Sequence, residues 1–290
     1  MCIRDSLDFV HLLRSWFNRG FLVLQQINWD TSARILDKIV AYEAVHHIND
    51  LDDLRRRLYP PDRRCFAFFH PAMPDEPLIF VEVALTDAIP GSIDAVLSDQ
   101  RTPLEAEQAK AAVFYSISNC QRGLSGISFG NLLIKQVVSE LSFTCPQIES
   151  YVTLSPIPGL NKWLAKQTKD EVYRITAQSV LDGSASADDV RAMAARYFMF
   201  AKRDDGMPVD PVARFHLGNG AKIHDIHAGA DTSRNGAAQS SGAMVNYLYD
   251  LTQTERNHES YAMDGTVTAS RAVRALSTAA LSTKIKEPTP

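Results

Sequence analysis

The stretch from residue 111 to residue 160 places the strongest constraint on the fold of this chain. It begins with AAVFYSIS, whose β-branched and aromatic residues predict a buried strand. It continues with FGNLLIKQVVSEL, whose apolar residues recur at the three-to-four spacing of a helix. Gly123, Gly126 and Gly130 lie in and around the connection between these segments. The sequence therefore predicts a strand, a glycine-rich loop and a helix in direct succession.

The glycine-rich loop has two interpretations. Glycines allow backbone N–H groups at a helix N-terminus to approach an anion such as a pyrophosphate. A tight turn needs glycine even where no phosphate binds, so the loop alone leaves both interpretations open. The Gly-Lys-Ser/Thr of a Walker loop is missing, and so is the acidic residue that a dinucleotide-binding unit carries about twenty residues further on. A nucleotide-type ligand held mainly by backbone amides is the remaining functional interpretation.

A second strand, within ESYVTL, leads to Ser155. Pro156 restricts Ser155 to extended geometry, and Pro158 with Gly159 predicts a rigid turn behind it. This turn presents the Ser155 hydroxyl at the end of a strand. The same residue would also suit the N-cap of the helix that follows, so a functional and a structural role are both open.

A short helix is predicted after residue 209. Asp210 and Pro211 have the N-cap and first-turn preferences of a helix start, and Gly218 can end the helix. His216 then lies near the helix C-terminus. A single histidine in this position is usually structural, but the glycines that follow keep its surroundings small and open.

Tyr247 and Tyr249 are two residues apart in an apolar segment. Two residues at this spacing share one face of a strand. They are either core aromatics that need a hydrogen-bond partner or site residues. In the second case, a hydroxyl would hold a substrate carboxylate or orient His216.

Composition excludes several classes of partner. A net charge of −4 and a pI near 6.1 argue against a nucleic-acid partner. The four cysteines show neither CxxC nor metal-ligand spacing, so we expect reduced thiols and no metal site. The sequence lacks an apolar run of about eighteen residues and the pattern of a signal peptide, which predicts a cytoplasmic protein without a membrane partner.

The other segments predict an α+β fold with a mixed sheet. Helical periodicity is predicted for residues 7–27, with a break at residues 18–20, and for residues 33–45, 51–58, 162–203 and 265–286. Strand patterns cover residues 64–70 and 78–86, which we expect to form a hairpin with a wide, proline-held connection, and residues 222–228. The segment from residue 231 to the tyrosines is predicted as a polar loop followed by an apolar segment.

Five motifs in a fixed order resemble one known family. They are HPAMPDEPLIFVEVAL, FYSISNCQRGLSGISFGNLLIK, TLSPIPGL, FHLGNGA and GAMVNYLYDL. Together they resemble the catalytic domain of the malonyl-CoA decarboxylases, and the resemblance extends from about Phe17 to the final helix. It implies an N-acetyltransferase-like fold, in which a central mixed β-sheet flanked by helices opens to admit coenzyme A.

The resemblance also implies site residues. The catalytic serine of the family falls on Ser155 and its catalytic histidine on His216. Its supporting serine falls on Ser116, and the tyrosine near the site falls on Tyr249. The loop that holds the pyrophosphate of coenzyme A falls on Ser125, Gly126, Ile127, Ser128, Phe129, Gly130 and Asn131.

The implied activity is that of a carboxy-lyase, which converts malonyl-CoA to acetyl-CoA and carbon dioxide through a thioester enolate. Imidazole is a natural proton donor near neutral pH, so His216 is expected to protonate the enolate. No metal or organic cofactor is expected, since the thioester itself accepts the electrons. An acetyl-CoA-dependent N-acetyltransferase and a non-catalytic acyl-CoA sensor are the alternatives.

The resemblance suggests a division of the chain. We expect residues 1–16 to be a remnant of a helical domain, with residues 1–6 foreign to the natural protein. Residues 17–285 would form the catalytic domain and residues 286–290 a tail. Family members self-associate through the preceding helical domain, so we expect weakened homo-oligomerisation if that domain is missing.

Overall fold

The computed structural model describes residues 21–121 and 130–281. These residues divide into two compact units. The first contains the described residues up to 88 and those between 102 and 149, and the second contains residues 89–101 and those from 150 onward. The predictions for residues 1–20, for the glycine-rich loop at 122–129 and for residues 282–290 lie outside the described residues, as do the limits drawn between domains there.

Eight strands and eleven α-helices are present in the described ranges. The strands are β1 Val23–Ile27, β2 Arg63–His70, β3 Met73–Thr86, β4 Ala111–Asn119, β5 Ser150–Thr153, β6 Ser155–Pro156, β7 Lys222–His227 and β8 Met244–Leu248. The helices are α1 Ala33–Tyr42, α2 Leu51–Leu58, α3 Ile93–Leu97, α4 Gly130–Thr144, α5 Leu160–Gln167, α6 Arg174–Leu181, α7 Ala187–Phe200, α8 Pro211–Gly218, α9 Arg234–Ser240, α10 Thr254–Asp264 and α11 Arg271–Thr278. This content agrees with the predicted α+β class. Within these ranges, no helix has both the length and the apolar character needed to cross a membrane.

The first unit contains an antiparallel sheet in the order β1-β2-β3-β4. Residues from Leu78 to Leu85 in β3 are all buried, which explains why its sequence reads as a continuous apolar run rather than an alternating one. Ile39 of α1 and Leu54 of α2 pack into the same core as Phe69 and Phe80 of the sheet. The predicted strands at 64–70 and 78–86 and the helix at 51–58 are confirmed.

Two predictions for the first unit are wrong. Residues 23–27 form strand β1 rather than helix, because they pair with β2 from Val23 opposite Phe69 to Ile27 opposite Cys65. The connection between β2 and β3 is short rather than wide, since His70 already pairs with Met73. The register shifts where Phe69 lies opposite Pro77, as expected because a proline cannot donate a hydrogen bond to the ladder.

In the second unit, strands β5, β6 and β7 all pair antiparallel with β8. Helix α9 lies in a segment that the sequence predicted as a loop, and helix α10 was missed. Ser233 caps α9 by accepting the Gly236 N–H at 3.0 Å, so hydrogen bonding overrides the poor helix propensity of the segment. Helix α10 has one buried residue, Tyr261, and therefore shows little hydrophobic periodicity in sequence.

A buried ion pair lies in the first unit. Arg57 of α2 is 3 % exposed and its Nη1 lies 3.1 Å from Oε2 of Glu82, which is fully buried. Arg57 also binds Asp53 and donates to the backbone carbonyls of His46 and His47. Burial raises the pKa of Glu82, with a further contribution from a second carboxylate, and Arg57 opposes this rise. The guanidinium therefore balances charge that has no access to water.

Replacing Arg57 with alanine leaves the Glu82 carboxyl buried without its cation. Removing one partner of a buried ion pair costs about 3 to 5 kcal/mol, and we expect a loss of this size in the free energy of unfolding. Urea denaturation near neutral pH measures it. Arg56→Ala is the matched control, because the Arg56 side chain is 45 % exposed and exposed pairs contribute about 0 to 1 kcal/mol. Equal losses in the two variants would contradict the assignment.

Candidate active site

Helix α8 carries His216 in its last turn, as the sequence predicted. The Asp210 side chain caps the helix, since its Oδ1 accepts the Ala213 N–H at 2.8 Å, and Pro211 is the first helical residue. Gly218 is the last residue of the helix. Gly220 follows with φ +84°, where a side chain would collide with the Thr254 carbonyl. These local features fix where the imidazole lies, and His216 is 3 % exposed.

Three side chains of the second unit surround the imidazole. The ring stacks on Tyr247 with a centroid separation of 4.5 Å and an interplanar angle of 25°. Its Nδ1 lies 2.8 Å from the Tyr249 hydroxyl, and its Nε2 lies 3.4 Å from Oγ of Ser155. The predicted shared face of Tyr247 and Tyr249 is therefore a face toward His216. Of the four predicted catalytic residues, Ser155, His216 and Tyr249 are in contact.

The imidazole is neutral at neutral pH. Burial lowers the pKa of His216 to about 3. The ring therefore does not titrate near neutral pH, although a histidine ordinarily would. Burial also raises the pKa of the Tyr249 hydroxyl well above its ordinary value. The Asn219 amide opposes part of that rise, although its nitrogen forms no hydrogen bond of good geometry with any described residue. Both groups are thus uncharged.

Ser155 does not cap the helix that follows it, because the N-cap of α5 is Gly159. Its hydroxyl instead donates to Thr153 Oγ1 at 2.9 Å, and the same Thr153 oxygen accepts the Tyr247 N–H at 3.2 Å. Thr153 was not identified from the sequence. Its position two residues before Ser155, on the same face of the extended chain, was the available signal.

Asn246 is a second residue that the sequence did not reveal. It is fully buried, and its Nδ2 donates to the carbonyls of Thr153 at 2.9 Å and Pro90 at 3.3 Å. Its Oδ1 accepts the Nε2–H of His227 at 2.5 Å. These bonds fix the strand end from which Ser155 extends. Asparagine within an apolar strand gives no sequence signal that separates this role from others.

Ser116 belongs to the first unit. It lies on β4, and its Oγ is 2.7 Å and 2.8 Å from the two carboxylate oxygens of Glu43, to which it donates. Glu43 also accepts the Ser118 hydroxyl at 3.1 Å and the N–H groups of Val45 and His46. The sequence gave no reason to select Glu43. The reaction role of Ser116 stays a prediction.

The predicted pyrophosphate loop lies mostly outside the described residues. Ser125, Gly126, Ile127, Ser128 and Phe129 are not described, whereas Gly130 and Asn131 are the first two residues of α4. Their binding role therefore stays a prediction. In the two described ranges, no group of three or more His, Cys, Asp or Glu side chains is arranged to hold a metal ion.

The fold and the sequence of this chain resemble those of known proteins. Two GNAT-like proteins share the fold. The loading GNATL domain of CurA from Lyngbya majuscula is 16 % identical, with a TM-score of 0.51 over 80 % of this chain and 98 % of that one. The GphF GNAT-like decarboxylase is 20 % identical, with a TM-score of 0.50 over 79 % of this chain and 99 % of that one. They show the fold alone and confirm the predicted N-acetyltransferase-like class.

Closer relatives identify the family. A sequence profile of the malonyl-CoA decarboxylase C-terminal domain matches residues 20–287, so this chain belongs to that family. The mitochondrial malonyl-CoA decarboxylase of Anser anser anser is 39 % identical over 87 % of this chain and 56 % of its own length. The crystal structure of malonyl-CoA decarboxylase from Rhodopseudomonas palustris is 52 % identical, with a TM-score of 0.86 over 93 % of this chain and 70 % of that one. The chain thus spans little more than half the length of the goose relative.

The buried imidazole makes stability depend on pH. Below pH about 6.5, the unfolded chain binds a proton at His216 that the folded chain cannot bind until pH about 3. This contribution to stability is complete above pH about 6.5 and declines by up to about 1.4 kcal/mol per pH unit as the pH falls. The unfolding free energy of the natural sequence should therefore drop relative to that of His216→Gln by about 2 kcal/mol between pH 7 and pH 5. Urea denaturation at both pH values checks this, and a difference that does not change with pH would contradict a neutral buried ring.

Proposed function

We propose that this chain decarboxylates malonyl-CoA to acetyl-CoA and carbon dioxide and is thus a carboxy-lyase. The observation that carries the proposal is the buried, neutral His216 held between the hydroxyls of Ser155 and Tyr249. Relatives named malonyl-CoA decarboxylase support the choice of substrate. The contacts within the second unit provide a proton donor, a group to orient a carboxylate and surroundings shielded from water.

The reaction requires hydrogen-bond donors for the enolate oxygen and a proton for the α-carbon. The bond between the carboxylate carbon and the α-carbon breaks, and its electron pair moves into the thioester as an enolate, which then takes a proton at the α-carbon. Hydrogen-bond donors must face the thioester oxygen, and one such donor contributes about 3 kcal/mol in comparable sites. The thioester accepts the electrons, so the proposed reaction uses no metal or organic cofactor.

We assign the proton to Nε2 of His216. A phenol is a stronger acid than a neutral imidazole, so Tyr249 donates its proton to Nδ1, and the ring proton must lie on the other nitrogen. Nε2–H then points to Ser155 in the absence of substrate and to the enolate carbon when substrate is bound. The hydrogen bond from Tyr249 stabilises the imidazolate that this step leaves, and a proton from water restores the neutral ring after the product departs. General acid catalysis of this kind contributes about a hundred- to ten-thousandfold.

Ser155 would orient the carboxylate rather than attack the thioester. Its proton is directed to Thr153, so the imidazole does not act as its base. When substrate binds, the Ser155 hydroxyl would turn from Thr153 to donate to the leaving carboxylate and hold it out of the thioester plane, where the breaking bond overlaps the π system. Decarboxylation needs no acyl-enzyme, and the hydrogen-bond directions agree with that route.

Two further roles are proposed for residues of the first unit. Residues 125–131 would bind the pyrophosphate of coenzyme A, because the fifteen-residue helix α4 begins at Gly130 and a helix N-terminus suits an anion. Ser116 gives its proton to Glu43, so it would accept a hydrogen bond from the substrate rather than donate one.

We also propose a cytoplasmic location and weak self-association, which cell fractionation and light scattering of the purified chain would test.

His216→Ala should lower kcat for carbon dioxide release from malonyl-CoA by about a hundred- to ten-thousandfold, with KM changed only a few-fold, because the proton donor acts in the transition state. Release is measured in the presence of a chelator, which removes adventitious metal. His47→Ala is the matched control, since that side chain is exposed, and it should keep full turnover.

Three other results would contradict the proposal. Equal turnover in His216→Ala would remove the histidine from the reaction. Consumption of acetyl-CoA only when an amine is supplied would identify an N-acetyltransferase. Tight binding of malonyl-CoA without release, in this chain and in a longer chain of the length of its relatives, would identify an acyl-CoA sensor.

A further inference from the structure

Asp210 makes more contacts than a helix cap requires. It is 1 % exposed, and its Oδ1 caps helix α8 through the Ala213 N–H. The Oδ2 atom of the carboxylate lies beside the Gly159 backbone, 3.8 Å from where a Cβ of that residue would be, and 3.4 Å from the Tyr197 hydroxyl, which donates to it. One carboxylate thus contacts α8, helix α7 and the turn behind Ser155.

The approach of these groups depends on Gly159. A Cβ atom at this position would collide with the Tyr197 hydroxyl and would lie 3.8 Å from Oδ2 of Asp210. Because glycine has no side chain, its backbone can lie against the carboxylate while the tyrosine reaches the same carboxylate from α7. The glycine that follows Pro158 is therefore explained by this contact, in addition to the turn that the sequence predicted.

The two segments that Asp210 joins carry the two reacting side chains. Gly159 lies four residues after Ser155, and Asp210 lies six residues before His216. Oγ of Ser155 and Nε2 of His216 are 3.4 Å apart, a distance at the limit of a hydrogen bond. A shift of the turn relative to α8 would break this contact directly. The bridge through Asp210 opposes such a shift.

Capping alone does not account for an aspartate at this position. Helices α7, α9 and α11 are capped by the serines Ser186, Ser233 and Ser270. A serine oxygen would satisfy the Ala213 N–H equally well, and it would not require a buried carboxylate. The additional oxygen of Asp210 accepts the Tyr197 hydroxyl and lies against the backbone of Gly159. Burial accounts for the lowered pKa of His216, so we attribute the effect of Asp210 to geometry rather than charge.

We propose that Asp210 is a positioning residue, which sets the separation of Ser155 and His216 by holding the turn at Gly159 against the N-terminus of α8. The consequence for turnover rests on the proposed decarboxylation. The consequence for the position of the two side chains does not.

The test uses Asp210→Ser, which can still cap α8 but is too short to reach Gly159 and Tyr197. We expect kcat for malonyl-CoA to fall about ten- to a hundredfold with KM within about twofold, since displacement of a reacting group by about 1 Å has an effect of this order. Asp50→Ser is the matched control. Asp50 caps α2 in the first unit by accepting the Asp53 N–H at 2.7 Å. The same replacement of a capping aspartate by serine should leave kcat and KM unchanged there.

Asp210→Asn provides the conservative comparison. It keeps the length of the side chain and one oxygen for the cap, so its kcat should lie between those of the natural sequence and Asp210→Ser. If the serine variant does not fold, as judged by circular dichroism, the same kinetic and structural comparisons are made on the asparagine variant. Normal kcat in a folded variant that has lost the bridge would overturn the proposal.

A crystal structure of the variant separates this proposal from the proposed function. If the natural chain releases no carbon dioxide, the decarboxylation proposal fails, and the positioning proposal is decided by the distance from Ser155 Oγ to His216 Nε2. An increase of about 0.5 Å or more would support positioning. A distance unchanged from 3.4 Å would overturn it, whatever the activity.

Discussion

The site in the second unit depends on the burial of one neutral imidazole. Stacking on Tyr247 and the hydrogen bond to Tyr249 hold the His216 ring in a place that water does not reach, and this burial lowers the pKa of the ring. A histidine that cannot become an imidazolium near neutral pH has one N–H donor and one acceptor nitrogen, and the phenol of Tyr249, as the stronger acid, donates to the acceptor Nδ1. Nε2–H then faces the Ser155 oxygen, and Ser155 donates its own proton to Thr153. The chemistry proposed for the site follows from these directions.

The first unit buries two acidic side chains in its core. Its core contains the carboxylates of Glu43 and Glu82, which have almost no access to water. Arg57 balances Glu82, while Glu43 is satisfied by the hydroxyl of Ser116 and by backbone N–H groups. Buried charge of this kind is costly unless it is paired, so the hydrogen bonds of Ser116 belong to a larger network. Any role of Ser116 in catalysis is constrained by its contact with Glu43.

Local rules predicted the parts of the fold that local chemistry determines. The cap and the end of α8 follow from Asp210 and Gly218, and the spacing of Tyr247 and Tyr249 placed both tyrosines beside one partner. The contacts of Asp210 with distant segments could not be predicted, because they depend on tertiary packing. The predictions for helix α9 and for the hairpin connection failed because a local helix cap and a strand register outweighed intrinsic propensity.

Every hydrogen-bond direction proposed around His216 depends on its protonation state, which nitrogen NMR of the labelled imidazole measures. The His216 signals are assigned by their loss in His216→Gln, and the spectrum is followed from pH about 8 to about 5, across the ordinary histidine pKa. The account predicts a proton on Nε2, an unprotonated Nδ1 and no titration in this range. Protonation of both ring nitrogens near pH about 6.5 would contradict it and would make an imidazolium the proton donor.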